Sequence, residues 1–278
     1  MVNLSPLQQD AIAFYRSITN DKNLDRRGRL LALDPRIDNR YAVYQNYFTR
    51  NALEQTPIDV FTIQEEEDLL HCYGVTTKSL DKLIADIKNN QSLHLQGICQ
   101  FCGLNTDSTS DHYLPKTNYP DFCVNALNLL PCCADCNSLK GTYYWDSQHN
   151  TRGIINLYTD AIPFEKFLFA NINYVGNVPT INFYLQNLTG GYNVFFNIMQ
   201  RHFLRLNLYC RYKERFNSVH HQVRSSFTNI PRFQGHPMRV KEFLLNDANS
   251  LFADYGRNCY HGVVKETLAN NATFINQF

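Results

Sequence analysis

Four cysteines are spaced for chemistry. Cys99-Gln-Phe-Cys102 and Cys133-Ala-Asp-Cys136 are two C-x-x-C pairs with thirty residues between them. A C-x-x-C turn sets two thiolates side by side, and two such turns complete a tetrahedral zinc site with no open position. Such a site is structural, clamping the ends of the segment it encloses. Cys132 adjoins Cys133, but only Cys133 has the two-residue gap to Cys136. Cys72, Cys123, Cys210 and Cys259 stand alone and read as ordinary thiols.

The clamped segment holds the second set of reactive residues. Asp111-His112-Tyr113-Leu114-Pro115-Lys116 is followed by Asn128-Leu129-Leu130-Pro131 and then by Asn137 and Lys140. Phosphodiester cleavage needs an activated water, a clamp on the phosphate and stabilisation of the leaving oxygen. A histidine that titrates near neutrality suits the first task, and a divalent ion suits the others. Neighbouring side chains on an extended segment point to opposite sides. One member of the Asp111-His112 pair can therefore face a metal and the other a water.

Over residues 97–142 this order resembles the HNH endonucleases, the zinc-clamped ββα-metal nucleases. Their pattern is C-x-x-C, an acid-His pair followed by Pro, an Asn, then C-x-x-C-Asn and Lys. The resemblance implies that His112 is the general base and that Asp111 and Asn137 are ligands of a catalytic metal. It also implies that Asn128 holds the loop carrying His112. Oxygen donors of this kind suit magnesium or manganese, with water and phosphate filling the remaining positions. The final motif residue is Asn rather than His, a variant common in the family. Lys140 and Lys116 are candidate phosphate contacts, Lys140 reading equally well as a solvated helix end. His149, just beyond the motif, reads as a surface residue. The stretch from Asp111 through Lys116 and Tyr119-Pro120 to Asn128 and Lys140 is also similar to stand-alone HNH proteins of bacterial anti-phage defence loci. That similarity implies an effector nuclease acting on DNA with a partner such as an ATPase. The alternative is a zinc-clamped binding module that does not cut.

The flanking elements must position these residues. The fold class expected is mainly α, with a small embedded ββα-metal zinc module and a short β-hairpin. Residues 1–95 read as helical. Ser5-Pro6 has the form of an N-cap and first helical residue, opening a helix through Ile18. Leu80, Leu83, Ile84 and Ile87 recur at helical spacing after Thr77. The acidic run 65–68 reads as a solvated helix start. Residues 96–145 form the zinc-clamped module. Residues 146–278 carry a hairpin, with strands around 168–174 and 181–185 turning at Gly176-Asn177, and then helices. Gly256 is placed to cap one of them.

Composition narrows the classes. The chain has 278 residues, 44% hydrophobic and 18% charged, which excludes a disordered chain and a coiled coil. The net charge of +1 gives no whole-chain sign of nucleic-acid binding. Residues 201–241, however, hold nine Lys and Arg against Glu214 alone, a local charge of +8. Arg211 and Arg215 belong to it, with Phe203, Tyr209, Tyr212 and Phe216 interleaved. Such a segment can track a nucleic-acid backbone with salt-dependent affinity, or it can be a set of solvated helix faces pairing with the acidic N-terminal region. No N-terminal leader and no run of membrane-spanning length is evident, so a cytoplasmic protein is expected. There, paired cysteines serve metals rather than disulfides.

Overall fold

The computed structural model describes residues 1–176 and 178–278. Among the described residues the chain is mainly helical with three two-stranded antiparallel sheets. It divides into two compact units. One holds residues 3–101 and 105–161. The other holds residues 162–278 with 1–2 and 102–104.

The first unit begins with four helices, α1 (Ala11–Asn20), α2 (Leu24–Thr49), α3 (Ile63–Gly74) and α4 (Lys78–Asn89). Each starts where a side-chain oxygen accepts an otherwise orphaned amide, from Asp10, Asn23, Thr62 and Thr77 in turn. Thr62 and Glu65 cap reciprocally. The helices bury Tyr15, Ile18, Leu30, Ile37, Tyr44, Leu69, Leu83 and Ile87. Strand β1 (Thr109–His112) then pairs with β2 (Leu129–Cys132), Asp111 opposite Leu130 and His112 opposite Leu129. Helix α5 (Ala134–Lys140) follows directly, completing a β-β-α order. A two-residue ladder, β3 (Trp145–Asp146) with β4 (Thr151–Arg152), closes the unit.

Two local expectations are corrected here. The first helix starts at Ala11, not beside Ser5. The Ser5 amide donates to Gln91 Oε1 at 2.8 Å, and the Ser5 carbonyl accepts from Gln91 Nε2 at 2.9 Å. The polar groups that would open a helix are thus used by the residues that end α4. The acidic run is only partly solvated. Asp68 is 1% exposed and bonds Arg26 at 2.7 Å and Arg29 at 2.5 Å.

In the second unit, β5 (Leu168–Val175) pairs with β6 (Val178–Leu185), Ile172 opposite Ile181. Gly176 sits at φ 59°, and Asn177 lies outside the described residues. Helices α6 (Asn193–Arg205), α7 (Leu208–Thr228), α8 (Pro237–Tyr255), α9 (Tyr260–Ala269) and α10 (Ala272–Ile275) complete it. Gly256 ends α8 at φ 78°, and a Cβ there would lie 2.5 Å from the Met1 carbonyl, so only glycine fits. Among the described residues no helix is long and apolar enough to cross a membrane.

Candidate active site

The four C-x-x-C cysteines are buried, and their sulfurs lie within 4.8 Å of one another. Local backbone explains the approach. The Cys99 amide donates to the Asn105 carbonyl at 2.9 Å, closing the first turn. Gly103 at φ 66° lets the Leu104 amide reach Cys102 Sγ at 3.4 Å. In the second turn, Cys133 caps α5 and accepts the Cys136 amide at 3.4 Å. Asn105 Nδ2 donates to Asp135 Oδ2 at 2.8 Å, tying the chain after the first turn to the start of α5. A closed, all-sulfur set of this size fits a tetrahedral zinc ion. Cys132 stands outside it, with Sγ 3.5 Å from Thr109 Oγ1 and burial pushing its thiol up to about 12. Among the described residues no cysteine is in a disulfide.

His112 ends β1, packed among buried neighbours. Its Nε2 lies 2.9 Å from the Cys123 carbonyl. A carbonyl can only accept, so Nε2 carries the hydrogen and Nδ1 keeps the lone pair. Burial pushes the ring down to about 3, well below the near-neutral titration expected of a base, so at neutral pH it is uncharged and a weaker proton acceptor than a free imidazole. Tyr73 of α3 packs edge-on against it at 4.4 Å between ring centres and donates to the Ser110 carbonyl at 3.1 Å.

Asn128, fully buried, spans from the approach to β2 back to the loop after β1. Its Oδ1 accepts from the Leu114 amide at 2.8 Å and the Tyr44 hydroxyl at 3.2 Å. Its Nδ2 donates to the carbonyls of Leu114 at 3.0 Å and Phe122 at 3.2 Å.

Asp111 points the other way, towards α5, and is 1% exposed. The Lys140 ammonium lies 3.1 Å from Oδ1 and 2.9 Å from Oδ2, and donates to the His112 carbonyl at 2.7 Å. Only the Oδ1 approach is aligned as a hydrogen bond, so Oδ2 keeps an unused acceptor direction despite the close charge. Burial raises the carboxyl to about 6 against the pull of Lys140. Asn137, three residues before Lys140, donates from Nδ2 to Thr109 Oγ1 and the Ser110 carbonyl, both at 3.3 Å. That leaves Asn137 Oδ1 as an acceptor; like Asp111 Oδ2 it is a hard oxygen donor.

Lys140 corrects its expected position. It is neither a solvated helix end nor exposed to phosphate, because α5 turns its Asn137 and Lys140 side onto β1 and leaves Lys140 with no accessible surface. His149 is exposed and pairs with Asp146 at 2.7 Å. Arg215 is exposed on α7, and half-buried Arg211 donates to the Leu206 carbonyl at 3.2 Å. The neighbouring Phe203, Tyr212 and Phe216 are buried, so they form the core side of amphipathic helices rather than a stacking platform. Tyr73, Tyr44 and the Cys123 carbonyl carry no mark in the sequence. Lys140 does, since Asn137 and Lys140 at i, i+3 must share a helix face.

Two known proteins are similar over part of the chain. Protein ea31 of Escherichia phage lambda is 33% identical over 119 residues, 41% of this chain and 39% of that protein. The Septu protein PtuB of Bacillus thuringiensis is 44% identical over 50 residues, 16% of this chain and 20% of that protein. The chain thus spans well under half the length of either relative. No family model and no solved structure matches it.

Proposed function

We propose that the chain is a metal-dependent endonuclease of the HNH kind that hydrolyses phosphodiester bonds in DNA. The observation that carries this is how His112 is held. Its Nε2 donates to a backbone carbonyl, which leaves Nδ1 with the lone pair that a base uses. The same strand presents Asp111, facing the helix that carries Asn137. His112 Nδ1 takes a proton from water, and the resulting hydroxide attacks phosphorus. The leaving oxygen departs and is protonated from solvent. Asp111 and Asn137 hold a magnesium or manganese ion, which neutralises charge on the phosphate when bound. The four cysteines hold a structural zinc and fix α5 against β1. Arg211 and Arg215 are proposed contacts to the DNA backbone.

The resemblance to stand-alone defence HNH proteins supports an effector nuclease of a bacterial anti-phage system. The similarity to the Septu protein PtuB supports the same role. Action in the cytoplasm beside a partner such as an ATPase belongs to this proposal. A second reading, a zinc-clamped module that binds without cutting, is favoured by one observation. Asp111 is buried against Lys140, which competes with any metal for the carboxylate.

Plasmid nicking separates the two. The wild-type chain should nick supercoiled DNA with magnesium or manganese, and His112→Ala should lose nicking while keeping zinc and helical content. Undiminished nicking by His112→Ala sinks the assignment of the base. No nicking by the wild type with either ion and candidate partners leaves the binding reading.

A further inference from the structure

Between Cys99 and Cys136 the sequence holds four aspartates and a single Lys or Arg, Lys116. A segment of this sign repels a polyanion unless local cations are placed to meet it. Lys140, the next cation along the chain, is fully buried against Asp111. Arg40, which reaches this segment from α2, is likewise engaged, bonding Asp121 at 2.6 Å.

Lys116 is placed differently. It follows Pro115 in the loop that Asn128 pins, four residues after His112, and it is half-buried. Its ammonium lies over the Tyr73 ring, 4.8 Å from the centre. That ring in turn packs on His112. Among the described residues no carboxylate forms an ion pair with Lys116. A cation within about 6 Å of an aromatic face is held in place while its N–H donors stay available to another acceptor.

We infer that Lys116, shelved on Tyr73 beside the His112 ring, is the contact for a DNA backbone phosphate at the reacting centre. The inference rests on the endonuclease reading above. The ammonium approaches the phosphate as a point charge. Tyr73 is a positioning residue, since its ring supports both the base and the cation. Its hydroxyl fixes it to β1 through Ser110.

Each phosphate neutralised by a cation contributes a salt slope of about 0.9 in log K against log salt on duplex DNA. A fluorescein-labelled DNA duplex is titrated with the full-length, zinc-loaded chain over a series of KCl concentrations, with no magnesium or manganese so that cleavage does not compete. Lys116→Gln should bind more weakly whatever the duplex sequence and lower the slope by about 0.9. Lys116→Arg should keep the wild-type slope. Tyr73→Leu should weaken binding, and adding it to Lys116→Gln should cost little more, because the shelf then carries nothing. If Lys116→Gln keeps the wild-type slope while the wild type binds and nicks, the Lys116 assignment falls and the endonuclease reading stands. If Lys116→Arg loses the slope as fully as Lys116→Gln, the side chain acts through packing and the assignment also falls. A wild-type chain that binds no DNA overturns both.

Discussion

Asn128→Ala tests the scaffold of the site without depending on any substrate. The side chain makes four hydrogen bonds, and they are not equal. The Tyr44 hydroxyl also reaches the Leu127 carbonyl at 3.2 Å, and the Phe122 carbonyl also accepts the Asn125 amide at 3.2 Å. Both therefore keep a partner after truncation. The Leu114 amide and carbonyl lose theirs, and Leu114 is fully buried. At roughly 1–3 kcal/mol per orphaned buried group, two orphans cost about 4 kcal/mol. That is a large share of the roughly 5–15 kcal/mol a domain has in total. Tyr44→Phe is the control. It removes one of two bonds to Oδ1 and strands nothing at Leu114, so it should cost about 1 kcal/mol. Urea unfolding of the zinc-loaded chain, followed through the single tryptophan Trp145 in the same unit, measures both. If Asn128→Ala unfolds no more readily than Tyr44→Phe, Asn128 is not what holds the loop after β1.

Two further perturbations act on the charges. His112 has its ring pushed down to about 3 by burial, so the unfolded chain takes up the proton first as pH falls. The stability this group contributes is full above its ordinary value and is lost below it. Relative to His112→Gln, whose amide can still donate to the Cys123 carbonyl, the wild type should lose about 2 kcal/mol between about pH 7.5 and about pH 5. The raised carboxyl of Asp111 runs the opposite way between about pH 4 and about pH 6, but it is common to both proteins and cancels in the comparison. Equal acid sensitivity of the two in urea unfolding would show that the ring is not held neutral. Lys140→Met strands a buried carboxylate and should cost roughly 3–5 kcal/mol. If Asp111 is a metal ligand, manganese should restore part of that loss by supplying the missing charge. A variant whose melting temperature ignores manganese would remove Asp111 from the metal site.

The cysteine pairs were legible because tetrahedral ligation dictates spacing, and spacing is a sequence property. The helix after Thr77 and the cap at Gly256 were legible for the same kind of reason, each being settled within a few residues. Ser5-Pro6 satisfied the same local rules and yet opens no helix. Gln91, 86 residues away, takes its polar groups, and no local pattern reports that. Asp68 and Lys140 were misplaced as solvated charges because their partners, Arg26 and Asp111, are brought to them by packing. Tyr73 was invisible for a related reason. A tyrosine on an amphipathic helix looks like any core residue until the helix is seen to lie beside β1.

The alternation along β1 explains why so small a ribbon needs the helices before it. Asp111 and Thr109 face α5, while His112 and its carbonyl partner Cys123 lie with α3, whose Tyr73 covers the ring. The four-cysteine cluster accounts for the first face alone, because of the two faces' elements only α5 carries its cysteines, Cys133 at the cap and Cys136 within. The second face is built from residues far outside the clamp. Tyr73 packs on the His112 ring, Cys123 Sγ donates to the Leu69 carbonyl at 2.9 Å, and Arg40 of α2 holds Asp121. Tyr44, also on α2, reaches Asn128 itself. The cysteines thus secure the side of the ribbon that would hold a metal, and the N-terminal helices secure the side that would hold the base. Neither half of the proposed chemistry is complete without the other.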